Sequence, residues 1–340
     1  MSIRYAIRND NKQYEFEFLP LTPKIHSMTI TQIEYIVAVE KNGSFVLAAE
    51  KCFVTQPTLS MQIQKLEEEL GIKIFDRNHH PIIATDMGKM IIDQAKKVLF
   101  ERDKIDELIS SQKNELIGSL NIGIIPTVAP SIVPRALKSF VKKYPAVEIT
   151  ITEMNTDQII HKLKDGEIDF GILSTPLFEK SLKESPMYLE PYVVYASKGH
   201  KILKNKLIDP KDIDVNEMWS LGDEHCMRFQ VINLCGKQKF YGAQNIFNYN
   251  SGSLLSLMRM VDVNGGLTVI PELSLADFPE EIMEQVRYFK DPTPVREISL
   301  VTNKYFTKNK LAISFTESIV SNIPEAMRSK KKKTNILQIS

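Results

Sequence analysis

Two hydroxyl caps, Ser44 and Thr55, leave room between them for only one short helix. Before them, Ile33, Ile36 and Val37 recur at helical spacing until Asn42-Gly43 breaks the run, and Ser44 then caps a second helix. Phe45, Ala48, Ala49 and Cys52 fall on that helix's inner face, Cys52 as a small core residue. Thr55 is an N-cap for a third helix, with Pro57 in the first turn, where a missing N–H costs nothing. Leu59, Ile63, Leu66 and Leu70 make its apolar stripe and Gly71 ends it. Two helices joined by so short a turn have the form of a helix-turn-helix.

The third helix presents Thr58, Ser60, Met61, Gln64 and Lys65 on its other side, with Gln56 at the open N-terminal end, where N–H groups favour phosphate. Short polar groups suit base edges in a major groove, although a solvated helix face has the same pattern. The string Ser44-Phe45, Ala48-Ala49, Gln56-Pro57-Thr58-Leu59-Ser60, Gln62-Ile63, Lys65-Leu66-Glu67 and Leu70-Gly71 resembles the DNA-binding signature of LysR-type transcriptional regulators. The resemblance implies double-stranded DNA as partner, with Gln56, Pro57, Thr58, Ser60, Gln64 and Lys65 at the operator. Arg77 to Pro81 and Ile82 to Thr85 read as a short hairpin that matches the family's wing, with Arg77 on phosphate and His79 and His80 as exposed tip residues. Glu67, Glu68, Glu69 and Asp76 offset Lys65, Lys73 and Arg77, so this region is not visibly basic. Each phosphate neutralised steepens the salt dependence by about 0.9, so a modest slope and reliance on several subunits are expected.

Formal net charge over 340 residues is only +1, so a nucleic-acid partner follows from that local motif and not from bulk charge. Hydrophobic residues make up 43% and charged residues 25%, ordinary for a soluble protein of two or three domains. No apolar run approaches the roughly 18 residues of a membrane span, and no signal peptide is evident, which places the chain in the cytoplasm without a membrane partner. A disulfide there is more often a signal than a staple.

Thr85 caps a long helix to about Gln112, in which Ile91, Val98 and Ile105 repeat in heptads and Ala95 and Ile109 widen the seam. Such a seam predicts a coiled-coil dimer, against the alternative of a core helix within one domain. Asn114 to Gly118 follows as a hinge. Beyond it, Leu120–Ile124, Val147–Thr152 and Phe170–Leu173 read as strands alternating with helices Ser131–Lys143 and Thr156–Lys164. Pro191–Ala196, a helix Ser253–Asp262, a strand Leu267–Ile270 and a return crossing at Ile298–Asn303 continue the pattern.

The expected fold is therefore α/β: an N-terminal winged helix-turn-helix, a long linker helix and a C-terminal effector domain. The resemblance implies that the effector has two periplasmic-binding-protein-like lobes with the ligand between them. Its domains are expected at 28–86 for DNA binding, 87–118 for the linker and dimerisation helix with its hinge, and 119–327 for the effector. Residues 1–27 lie outside the family pattern, as an extension or an early start, with Tyr14 to Phe18 as one short strand. Residues 328–340 read as a basic, solvated tail.

One further stretch, His225 to Gly236, carries two of the three cysteines. If it is helical, Cys226 and Cys235 stand roughly 13 Å apart, whereas a disulfide needs Cα atoms within about 7 Å. A regular segment keeps the sulfurs apart and only a remodelled one joins them, which makes a two-state element. Two unrelated core cysteines are the plainer reading; zinc fits poorly, because adjacent His-Cys plus one distant Cys lacks paired ligand spacing. His225 and Arg228 are placed to lower the Cys226 pKa and expose a thiolate to peroxide.

His225-Cys226, Arg228, Gln230 and Cys235 together resemble the peroxide-sensing segment of redox-responsive LysR-type regulators. That resemblance implies sulfenic acid at a peroxidatic Cys226 and a disulfide to a resolving Cys235. Thr127 in Ile125-Pro126-Thr127-Val128 and Thr156 in Asn155-Thr156-Asp157 match the peroxide-contacting threonines of such regulators, although either is also an ordinary turn or cap residue. Thr127→Val is then expected to slow oxidation with little loss of stability.

The resulting expectation is a regulator controlling oxidative-stress genes, with hydrogen peroxide as effector, no cofactor and no metal. It would act as a homodimer or homotetramer and contact RNA polymerase. The alternatives are a metabolite-binding LysR-type regulator with incidental cysteines, and a thiol peroxidase, which has no need of a helix-turn-helix.

Overall fold

The computed structural model describes residues 3–8, 14–19, 28–112, 116–235, 252–328 and 334–338, with only the backbone described for 3–8, 14–19 and 106–112. Contacts divide the chain into two units, Met1–Lys104 and Ile105–Ser340.

In the first unit, β1 (Ile3–Arg8) and β2 (Tyr14–Leu19) pair antiparallel, so the leader holds two strands where the sequence suggested one. The rest of the leader lies outside the described residues. Helix α1 (Ile30–Asn42) starts at a capping box in which Thr29 and Gln32 exchange hydrogen bonds, and it stops at Gly43, whose φ of 60° favours glycine. Ser44 caps α2 (Phe45–Lys51), and Thr55 caps α3 (Gln56–Leu70), which ends at a left-handed Gly71. These helices bury Ile36, Val39, Ala48, Leu59, Ile63 and Leu66 in one core.

Glu67 has a structural part besides its place in the charge inventory. It is buried at 1% exposure, and its Oε1 accepts the N–H groups of Ile74 at 2.8 Å and Phe75 at 3.2 Å. The carboxylate thus anchors the entry to the wing, formed by β3 (Phe75–Asp76) and β4 (Ile83–Ala84), while its Oε2 pairs with Lys73 at 3.2 Å and Arg77 at 3.6 Å, two of the cations it was expected to offset. Helix α4 (Asp86–Gln112) starts where Thr85 Oγ1 accepts the Gly88 N–H at 2.9 Å. Ile92 and Ala95 bury into the helix-turn-helix core, while Ile91 and Val98 are only half-buried against it and Ile105 is exposed. The start of the expected seam is therefore partly used within its own unit. The Ile109 side chain lies outside the described residues, as do Asn114 and Glu115 of the expected hinge.

The second unit holds β5 (Gly118–Ile124), α5 (Ala129–Lys143), β6 (Val147–Glu153), α6 (Thr156–Lys164), β7 (Phe170–Thr175), β8 (Leu182–Ala196) and β9 (Leu207–Ile208). After these come α7 (Cys226–Leu234), α8 (Leu254–Asn264), β10 (Leu267–Pro271), β11 (Val286–Phe289), β12 (Thr293–Asn303), α9 (Asn309–Val320), α10 (Glu325–Arg328) and β13 (Thr334–Ile336). The strand order is β6-β5-β7-β12-β8-β11-β9, with β10 also pairing β8 and β13 pairing β12.

Strand β8 crosses between two cores. Its first part pairs with β12 beside the core of Ile122, Phe140, Phe170 and Phe315, and its Tyr192–Ala196 end pairs with β10 within the core of Val193, Leu257, Val261 and Val269. Burying each such large apolar side chain contributes about 1.5–3 kcal/mol. At the crossing, Glu190 of β8 and Arg296 of β12 form a fully buried ion pair at 2.8 Å.

The expected solvated tail is corrected where it is described. Strand β13 runs parallel to the start of β12, Leu337 N–H donates to the Val295 carbonyl at 2.9 Å, and the Leu337 side chain is buried in the second core. Unmet strand hydrogen bonds on β12 and one large apolar side chain outweigh the pull of the preceding lysines toward solvent. Residues 329–333 lie outside the described residues.

Candidate functional site

The outward side of α3 is a candidate nucleic-acid interface. Gln56, Pro57, Thr58, Gln64 and Lys65 are exposed and Ser60 is half-buried. Several of these side chains already have partners: Thr58 and Thr55 hydroxyls lie 2.8 Å apart, Gln64 donates to Glu68 at 2.9 Å, and Lys65 stands 3.9 Å from Glu69. Arg77 lies over the Phe45 ring at 4.9 Å, donates to Ser60 Oγ at 3.3 Å and sits 3.6 Å from Glu67 Oε2. It braces the wing against α3 while keeping a side-chain exposure of 39%. His79 at the wing tip pairs with Asp76 at 3.0 Å.

In the second unit, Cys226 is the first residue of α7 and Cys235 its C-cap, whose N–H donates to the Val231 carbonyl at 3.1 Å. Both thiols are free. The intervening helix keeps them roughly 13 Å apart along its axis. Cys226 packs against the first core and Cys235 against the second, so α7 is moored at its two ends in different lobes.

Four of the residues singled out from sequence meet around one cavity. Its walls are Ile125, Pro126, Thr127, Asn155, Thr156, Glu224, His225, Cys226 and Met227, and its volume of about 10 Å³ is that of one water-sized sphere. Thr127 arrives on the turn after β5, and Thr156 is the first residue of α6, set there by a capping box between Asn155 and Gln158. The Thr156 hydroxyl is buried without a hydrogen-bond partner meeting ordinary geometry, yet lies near enough to the Cys226 thiol to hold its pKa down.

The structure corrects the electrostatics expected for Cys226. Burial pushes its thiol above the ordinary range, and Thr156, the Arg296 charge and the amides of Met227 and Cys226 oppose that only in part. Arg228 is not among the largest of these influences. Its guanidinium turns away to Asp223 at 2.7 Å, Ser220 Oγ at 2.5 Å and the Leu221 carbonyl at 3.1 Å. Burial also lowers the His225 pKa despite Glu224 at 3.6 Å, so the ring is neutral at pH 7 and supplies no cation. Burial raises Cys235 to about 11.

Sequence reasoning missed the polar frame behind the cavity. Arg296, 0% exposed, donates through Nε to Glu190 at 2.9 Å and through Nη1 to Thr127 Oγ1 at 2.8 Å. Glu190 also accepts the Leu273 N–H at 3.1 Å. Gln230, midway along α7, accepts from Tyr192 at 2.7 Å and donates to the Leu337 carbonyl at 2.8 Å. An arginine inside the apolar alternation of Val295 to Leu300 was the available signal.

No group of three or more His, Cys, Asp or Glu suited to a metal occurs among the described residues, and no described helix is long and apolar enough to cross a membrane.

Known proteins give the same outline. The family "Bacterial regulatory helix-turn-helix protein, lysR family" matches residues 30–89, and "LysR substrate binding domain" matches residues 113–322. A hydrogen peroxide-inducible genes activator of Haemophilus influenzae is 34% identical over 81% of this chain and 90% of its own. A full-length OxyR variant of Pseudomonas aeruginosa superposes with a TM-score of 0.68 at 30% identity, over 86% of this chain and 98% of that one. A peroxide-bound OxyR mutant of Corynebacterium glutamicum does so with a TM-score of 0.55 at 26% identity, over 86% and 92%. The match runs through both units, and it assigns the chain to a class of regulators and not of enzymes: this protein belongs to the LysR family of DNA-binding transcriptional regulators.

Proposed function

We propose that this regulator senses hydrogen peroxide through Cys226, with Cys235 as the second sulfur of a reversible disulfide, and so controls oxidative-stress genes. The observation that carries the reading is the placement of Cys226 in a water-sized cavity between Thr127 and Thr156, with Cys235 at the far end of the same helix. A hydroxyl both donates and accepts, as a peroxide does, so two threonines can orient the small effector against Sγ. The Cys226 thiolate attacks one peroxide oxygen, the O–O bond breaks, and the departing hydroxide takes up a proton to leave as water. Cys226 is thereby oxidised to sulfenic acid. The Cys235 sulfur then attacks Cys226 Sγ, and the sulfenic oxygen leaves as a second water.

Closing that bond takes the Cα atoms from roughly 13 Å to under about 7 Å, so α7 unwinds. A Cys235 pKa of about 11 in the resting fold makes this sulfur a weak nucleophile until unwinding exposes it. The DNA partner is a double-stranded operator read by Gln56, Pro57, Thr58, Ser60, Gln64, Lys65 and Arg77, and the working form is a homodimer or homotetramer in the cytoplasm, in contact with RNA polymerase.

Intact mass with thiol alkylation, after about one equivalent of peroxide, tests the reading. The expected result is a loss of two hydrogens localised to Cys226 and Cys235, with Cys52 unchanged. Random oxidation of the three thiols overturns it.

One observation favours a second reading, a regulator of a small metabolite. A cavity of about 320 Å³ bordered by Pro126, Ser131, Glu153, Ser253, Met258 and Asp277 has the size of a small-ligand site. Operator affinity that responds to a metabolite in the Cys226→Ser variant would select it.

A further inference from the structure

On α3 the buried residues are Leu59, Ile63, Leu66 and Glu67. At about 100° per residue, the direction opposite their average passes within about 10° of Met61. Met61 thus stands at the middle of the outward face, 68% exposed, with the exposed Pro57 one turn before it. The polar side chains around it are engaged, Gln64 with Glu68 at 2.9 Å, Lys65 with Glu69 at 3.9 Å and Ser60 with Arg77 at 3.3 Å. A thioether has no N–H or O–H to donate and accepts only weakly, so what Met61 offers a groove is apolar contact. On the base edges of the major groove, the apolar group is the C5-methyl of thymine.

We propose that Met61 is a specificity-determining residue that selects a thymine in each half-site by burying its methyl group. Pro57 and Met61 together form an apolar surface at the place a recognition helix sets deepest into the groove. The unbranched side chain adapts its torsions to the methyl position. Removing one methyl-sized contact from such a surface weakens binding by about fourfold.

The test selects sites from a random double-stranded DNA library with the full chain. Each thymine of the selected duplex is then replaced in turn by deoxyuridine, which keeps the pairing and lacks the methyl. The expected result is one position per half-site at which this replacement weakens the wild type about fourfold and leaves Met61→Ala unaffected. Met61→Ala should already bind the thymine duplex more weakly by that factor. Selection repeated with Met61→Arg should return guanine there. Because Met61 is exposed, circular dichroism and oligomeric state should match the wild type and separate a binding loss from misfolding. A wild type insensitive to every deoxyuridine overturns the proposal, as does a methyl whose loss weakens wild type and Met61→Ala alike.

Discussion

Arg296 holds Thr127 at two points, donating from Nη1 to its hydroxyl at 2.8 Å and from Nη2 to its carbonyl at 3.0 Å. The threonine that borders the Cys226 thiol is thus also an acceptor for a buried cation. Accepting from Arg296 leaves the hydroxyl's own proton to be donated into the cavity.

Thr127→Val is therefore not the clean probe expected from sequence. It strips one acceptor from a buried guanidinium, which costs about 1–3 kcal/mol in urea unfolding, besides slowing peroxide oxidation of Cys226. Thr127→Ser should restore both. Unchanged stability in Thr127→Val would show that the Arg296 bond to this hydroxyl contributes no net stability.

Breaking the pair at the strand crossing should be costlier. Arg296→Met leaves Glu190 buried and uncompensated and is expected to destabilise by about 3–5 kcal/mol, with a large part recovered in Arg296→Met combined with Glu190→Gln. Denaturant midpoints of the two variants and the wild type measure this, and absence of recovery would place the loss in packing.

Peroxide reactivity should rise with pH. Because the Cys226 pKa lies above its ordinary value, the thiolate is a minor form at pH 6–8 and grows about tenfold per pH unit, without a plateau in that range. Sulfenic acid formation in Cys235→Ser, followed against pH, reports this directly. A plateau below pH 7 would mean that Thr156 and Arg296 outweigh burial.

At the operator, Gln56→Ala and Ser60→Ala should each weaken binding by about 1–3 kcal/mol if the side chains reach base edges. The Ser60 change also removes the acceptor for Arg77 Nη1, so it should alter protection under the wing in a footprint, which the Gln56 change should leave alone.

Leu337→Ala is expected to cost about 2–5 kcal/mol and to raise hydrogen exchange along α7 in the reduced protein. The link is the Gln230 amide, which donates to the Leu337 carbonyl. Faster exchange confined to β13 would show that α7 does not depend on it.

What the sequence made legible was local. Ser44 and Thr55 declare helix starts because the cap and the N–H groups it satisfies lie within three residues, and α6 spans Thr156–Lys164 as expected, although its cap is Asn155 and not Thr156. Cys226 was singled out by its spacing from Cys235 and Thr127 and Thr156 through the resemblance, and the fold alone explains why they meet. The errors follow from distance along the chain. Arg228 was credited with tuning Cys226 because it is two residues away, whereas Arg296, brought in on β12, is the cation among the largest influences on that thiol. Half of β8 escaped notice because Pro186 and Pro191 interrupt its pattern and Glu190 looks like a surface residue until Arg296 faces it. The lysines before Thr334 concealed a strand whose partner is β12.

The bond from Gln230 to Leu337 spans 107 residues of chain. At a synthesis rate of about 5–20 residues per second, that separation corresponds to roughly 5–20 s. A nascent regulator on the ribosome thus completes its thiol helix well before the carbonyl that latches the middle of that helix has been made. Freshly made chains pass through an interval in which the cysteines are present and the latch is not, and oxidative stress during translation meets α7 in its least restrained form.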